Sequence, residues 1–246
     1  MPDQALIAQL FAFADDEFLL GHRDSEWTGH APLLEEDIAF SNLAQDELGH
    51  ALIWYTILHE QLNQPTPDRL AFWREASDFR NATLVELPRG DWAFTIIRQY
   101  LFDMYEHTRN EALAHCGYAP IEDAVAKISR EEVYHRLHSQ SWVLRLGGAT
   151  EESHRRMQAA LDQLWPHALG LFEPIADAAE YSALLPHIQT AWLERVTPIL
   201  TQATLLIPND ITPNYGGRTG QHTSHLNDLL NDLHKVAHSE SPEAIW

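Results

Sequence analysis

Glu47-Leu48-Gly49-His50 and, 85 positions later, Glu132-Val133-Tyr134-His135 decide the reading of this chain. Both are Glu-x-x-His motifs inside long segments of helical apolar periodicity. Residues i and i+3 of a helix share a face, so each motif aims a carboxylate and an imidazole the same way. A bare match is weak evidence, because a chain with 15 histidines supplies roughly one such motif by chance. Three occur. The third, Glu151 to His154, follows Gly147-Gly148 and precedes Arg155-Arg156. It reads as a solvated first turn, its acids placed at the favourable end of the helix dipole.

Working outward, the chain reads as helices joined by Pro- and Gly-rich connections, with almost no alternating strand pattern. A first helix is expected over about Asp3 to His22, where Leu6, Leu10, Phe13, Glu17 and Leu20 share one face. Glu17 therefore lies on an apolar stripe, where a carboxylate is costly unless paired or metal-bound. A second runs from about Leu33 to Leu62, with Phe40, Leu43, Glu47, His50, Trp54 and Ile57 on its stripe. A third spans about Asp91 to His115 and lines Ile96, Gln99, Asp103, Glu106, Asn110 and Leu113 along one side. A fourth starts at Pro120 and carries Val125, Ile128, Glu132, His135, Trp142 and Leu146 until Gly147-Gly148 stops it. The fold class is all-α: a four-helix bundle over about 3–147, with accessory helices over about 150–246 in the same single domain. Pro166 and Pro198 are expected to kink or split two of those accessory helices.

Composition narrows the function. Asp and Glu number 36 against 16 Lys and Arg, a formal net charge of −20. Such a surface repels phosphate backbones and anionic lipid, so nucleic-acid and membrane partners are disfavoured. No run of ~20 apolar residues is available to span a bilayer. The lone Cys116 excludes an internal disulfide and, with no signal-peptide pattern at the N-terminus, fits a cytoplasmic protein. Gly216-Gly217-Arg218-Thr219-Gly220-Gln221-His222 lacks the lysine and preceding strand of a nucleotide loop and reads as an ordering element or a partner contact. His22, His30, His107, His115 and His138 read as surface or loop residues.

The four helices donate, in order, Glu17; Glu47 and His50; Asp103 or Glu106; Glu132 and His135. Carboxylates that bridge hard cations, with imidazoles at the sides, form the ligand set of a di-iron centre that activates O2. Asp16, beside Glu17, is an alternate ligand. Asp103 and Glu106 lie one turn apart, and spacing does not separate them. Asp46, directly before Glu47, is placed to orient the opposite histidine. The competing reading is a buried network of structural ion pairs.

Five stretches carry a resemblance: Glu26-Trp27-x-Gly29-His30-Ala31-Pro32, Ile97-Arg98-Gln99-Tyr100 with Asp103, Glu132-x-x-His135, Trp142-x-x-Arg145-Leu146-Gly147, and Gly220-x-His222-Thr223-x-His225-Leu226. Together they resemble the C-type subunits of the bacterial ring 1,2-phenylacetyl-CoA epoxidase, over nearly the whole chain. The resemblance implies a ferritin-like fold and a complex that inserts oxygen into the aromatic ring of phenylacetyl-CoA during phenylacetate breakdown. The partners it implies are a homologous di-iron catalytic chain and a reductase carrying flavin, iron–sulfur and NADPH. It favours Asp103 over Glu106 as the third-helix ligand. It also implies a structural rather than catalytic role for this chain. The intact Glu47 and His50 keep open the alternative, a di-iron protein active in its own right as an oxygenase or peroxidase.

Overall fold

The computed structural model describes residues 2–241, and every regular element among them is helical. In chain order these are α1 (Pro2–Ser25), α2 (Leu34–Leu62), the short α3 (Pro67–Phe72) and α4 (Thr83–Glu86), α5 (Trp92–Leu113), α6 (Ala119–Ala149), α7 (Glu151–Leu169), α8 (Ala179–Gln202) and α9 (Ser224–Ala237). Helix α1 packs along α2, α5 packs along α6, and α2 meets α6 to close the bundle. The fold is all-α and ferritin-like, with additional C-terminal helices.

Local chemistry sets the helix ends. Glu35, Glu36 and Asp37 occupy the first turn of α2, facing its positive dipole end. Asp91 caps α5 by accepting from the Phe94 amide at 2.9 Å. Pro120 sits in the first turn of α6. Thr150 and Ser153 cap α7 reciprocally. Gly21 has a packing role: a Cβ there would lie 3.0 Å from Leu48 Cγ and 3.1 Å from Glu47 Cβ. Its missing side chain lets α1 and α2 close beside the first Glu-x-x-His motif.

Two expectations are corrected. Helix α6 runs through Gly147-Gly148 to Ala149. Gly147 serves close packing instead of termination, since a Cβ there would fall 2.5 Å from the Ala203 carbonyl. Helices α7 and α8 are not split at Pro166 or Pro198, and α8 also runs unbroken through Pro186. Their buried faces, including Trp165 stacked on Trp192 at 5.2 Å, outweigh the local cost of the prolines. Beyond the side expected to line the core, α5 is buried on its other faces as well. Helices α7 and α8 cover its outer face, and Arg98, Gln99, Asp103, Glu106 and Arg109 are all fully buried.

The glycine-rich loop after α8 orders the N-terminal half. Arg218 reaches back across the chain to the Asp16 carboxylate with contacts of 2.9 and 2.7 Å, and donates to the carbonyls of Ala12 and Arg80. His222 bonds Glu86 at 2.9 Å. Arg218→Ala strands the Asp16 charge in the core and should cost about 3–5 kcal/mol of unfolding free energy in a denaturant titration. A loss below about 1 kcal/mol would show that the latch is not structural.

Candidate metal centre

Seven ionisable side chains converge inside the bundle. Glu17 comes from α1, Glu47 and His50 from α2, Asp103 and Glu106 from α5, and Glu132 and His135 from α6; none is more than 1 % exposed. Their donor atoms form three overlapping groups, each within 4.8 Å: Glu17, His50 and Glu106; Glu47, Asp103 and His135; and Glu47, Glu106 and Glu132. The six residues expected from the sequence are thus brought together, and Glu106 joins them. Asp16 is not among these groups; it faces away, toward Arg218.

The histidines are held from outside by a crossed pair of carboxylates. His135 Nε2 lies 3.2 Å from Asp46, and His50 Nε2 lies 3.0 Å from Glu131. Each carboxylate directly precedes the Glu of the opposite motif. This turns both Nδ1 atoms inward, where His135 Nδ1 lies 2.7 Å from Glu132 Oε1 and His50 Nδ1 lies 3.8 Å from the same oxygen. An outer carboxylate that fixes a ring in this way is a common support for a metal-binding imidazole. Sequence reasoning missed Glu131, although an acid stands before both motifs and gave the signal.

Arg109 was also missed. It lies one turn after Glu106, fully buried, and its Nη2 donates at 2.7 Å both to Glu17 Oε1 and to Glu106 Oε1. Phe13 packs on the guanidinium, 4.6 Å from ring centroid to carbon. Trp54 Nε1 donates to both Glu17 oxygens, at 3.0 and 2.9 Å. Asp103 is likewise provided for, by Gln99 at 2.8 Å and Ser139 at 2.6 Å. Other atoms have no hydrogen-bond partner: Glu47 Oε2, His50 Nδ1, Glu106 Oε2 and Glu132 Oε2. Buried polar atoms are rarely left so, and a set of carboxylate oxygens with imidazole nitrogens suits a hard or borderline divalent cation.

The remaining histidines divide. His30 and His115 are exposed as expected. His138 is instead bonded to Glu36 at 2.7 Å between α6 and α2, and His22 packs 4.6 Å from the Phe18 ring.

Burial and close carboxylates shift the proton affinities across the cluster. Burial pushes the Glu17, Glu47 and Glu132 carboxyls well above the usual carboxylate range, and the neighbouring Glu106 charge pushes Glu17 and Glu132 further. Burial raises Asp103 to about 6. Glu106 goes the other way: burial opposes it, but Arg109 and His50 hold it below the ordinary value. His50 is lowered by burial, whereas His135, despite burial, is raised by Glu132 and its other carboxylate neighbours.

The sequence profile of the family described as "Phenylacetic acid catabolic protein" matches residues 1–246. The chain belongs to that family. It is 34% identical over 233 residues to the C-type subunit of the 1,2-phenylacetyl-CoA epoxidase of Escherichia coli K12, covering 93% of this chain and 94% of that protein. It is also 27% identical over 188 residues to the A-type subunit of the same epoxidase, covering 74% of this chain and 60% of that protein. Among the described residues, no helix is long and apolar enough to cross a membrane.

The electrostatics predict how the metal-free chain responds to pH. Carboxyls with raised folded-state pKa bind more protons folded than unfolded, so their contribution to stability falls as pH climbs above their ordinary value near 4.5. His135, also raised, acts in the same direction; His50 and His22, lowered by burial, oppose it, and the lowered Glu106 acts only below pH 4.5. The melting temperature of the metal-free chain should therefore fall between pH 5 and pH 8, by at least a few degrees, because each 1 kcal/mol moves it by roughly 2–4 °C in a chain of this size. Thermal melts at several pH values check this, and a melting temperature that rises over that interval would contradict the charge assignment.

Proposed function

We propose that this chain is the structural component of a multi-subunit epoxidase of phenylacetate breakdown, paired with a related catalytic chain of the A type that oxidises the ring of phenylacetyl-CoA. The observation that carries this reading is the near full-length match, in both directions, to a C-type epoxidase chain. The weaker match to the A-type chain supports two related proteins within one complex.

Such a role needs a docking face. The outer surfaces of α2 and α6 expose Leu34, Ile38, Leu52, Val133, Tyr134 and Leu137, between 47 and 74 % exposed. Apolar side chains concentrated on two adjoining helices fit a lasting contact between subunits better than a free surface. In this reading the buried donor set fixes α2, α5 and α6 relative to each other and so shapes that face.

The unpartnered donor atoms raise a second reading, a di-iron centre of the chain's own, against which stands Arg109 between Glu17 and Glu106. Glu47, His50, Glu132 and His135 are then its core, joined on α5 by Asp103 or by Glu106. Glu106 has a free oxygen, while both oxygens of Asp103 are bonded. When bound, such a metal pair supplies electrons to O2; the protein's share is to hold the imidazoles through Asp46 and Glu131 and to keep water out.

Co-expression with the A-type homologue from the same organism tests the structural reading. The two chains should co-purify as a stable complex. Leu34→Glu with Leu137→Glu should weaken binding at least tenfold while leaving the helical circular dichroism unchanged. A wild-type chain that never associates with the catalytic homologue would refute the reading.

A further inference from the structure

We propose that this chain binds one divalent cation, between Glu47, Glu132 and His135, and that the Arg109 guanidinium occupies the charge position where a two-metal centre would need its second ion.

The two ends of the donor cluster differ in kind. At the end formed by Glu17, Glu106 and His50, a cation is already built into the protein. Arg109 Nη2 spans the two carboxylates at 2.7 Å each, and Trp54 covers Glu17 with contacts of 3.0 and 2.9 Å. An arginine does not give up its proton in a protein, so the positive charge is permanent. The guanidinium is fully buried and lies within cation–π range of Phe13, Trp54 and Tyr105. A metal ion at this end would have to share both carboxylates with a fixed positive charge and displace the bonds that Glu17 already makes. The residues therefore do not fit a pair of metal ions.

At the other end the reverse holds. Glu132 is 1 % exposed and its Oε2 has no hydrogen-bond partner; Glu47 Oε2 is also buried and unpartnered. His135 Nδ1 lies 2.7 Å from Glu132 Oε1 and 3.5 Å from Glu47 Oε1, and Asp46 holds the ring's other nitrogen. Those atoms converge with no arginine or lysine bonded to them. Glu106 also lies with Glu47 and Glu132 in a group whose donor atoms are within 4.8 Å, and its Oε2 has no hydrogen-bond partner. Two or three carboxylates and an imidazole suit Mn2+ or Fe2+. A single ion cannot share a two-electron task with a neighbour, which accords with a chain whose work is assembly.

The test uses the full chain, stripped of metal and dialysed against Mn2+ alone. Bound manganese is counted per chain, and its electron paramagnetic resonance spectrum is recorded. Wild type should hold one ion with the six-line pattern of an isolated Mn2+. Glu132→Gln should lower the affinity at least a hundredfold, and Glu17→Gln should leave the single ion in place. Arg109→Gln should admit a second ion and give the broadened spectrum of an exchange-coupled pair. Two coupled ions in wild type, or none, would overturn the proposal, and so would an Arg109→Gln variant that folds and still holds one. The wild-type count does not depend on any variant folding. It is also independent of complex formation, so this inference and the reading as a structural component can fail separately.

Discussion

A guanidinium clasped between two glutamates in a dry helical interior sets the terms for this structure. Five carboxylates, Glu17, Glu47, Asp103, Glu106 and Glu132, share one buried space. Taking even one isolated carboxylate charge out of water is expensive, and like charges at close range add to the cost. Arg109 answers part of it by pairing with Glu17 and Glu106. The remaining carboxylates hold protons or meet another cation. Everything nearby serves that arrangement: Trp54 and Ser139 donate to it, Gly21 lets α1 close on α2, and α7 and α8 seal the outer side of α5.

Much of this was legible in the sequence because helical periodicity is a strong signal when it runs for 20 or more residues. The two Glu-x-x-His motifs, Glu17 on an apolar stripe, and the order of carboxylates along the chain all follow from side chains recurring at the period of one helix face. What periodicity does not carry is pairing across elements. Arg109 is spaced from Glu106 as an ordinary surface ion pair would be, and only the burial of α5 on all sides makes it the cation of the cluster. Asp16 and Glu17 are adjacent in sequence, yet one faces Arg218 and the other Arg109. A one-residue step on a helix is about 100°, so neighbours can belong to different networks. The stop assigned to Gly147-Gly148 and a split at Pro166 or Pro198 failed for a related reason: local propensity yielded to packing against Ala203 and between Trp165 and Trp192.

The family assignment and the physical reading bear on different questions. Similarity to the C-type and A-type chains of one epoxidase speaks to assembly and to the pathway the complex serves. The donor geometry speaks to what this chain can hold. An intact pair of Glu-x-x-His motifs would suggest a working two-metal site, but the buried arginine among the ligands changes that conclusion. A chain can keep the outline of a metal site because removing any one carboxylate from a balanced buried cluster would strand its neighbours. In that light the cluster is the electrostatic keystone of the bundle, and the proposed cation would add to the charge that Arg109 already supplies.

The most direct test of that claim is a crystal structure of the full chain grown with Mn2+, with anomalous diffraction collected at the manganese edge. The account predicts one anomalous peak, among Glu47, Glu132 and His135, with Arg109 lying between Glu17 and Glu106. Two peaks a few ångströms apart, with Arg109 swung away from those glutamates, would contradict it.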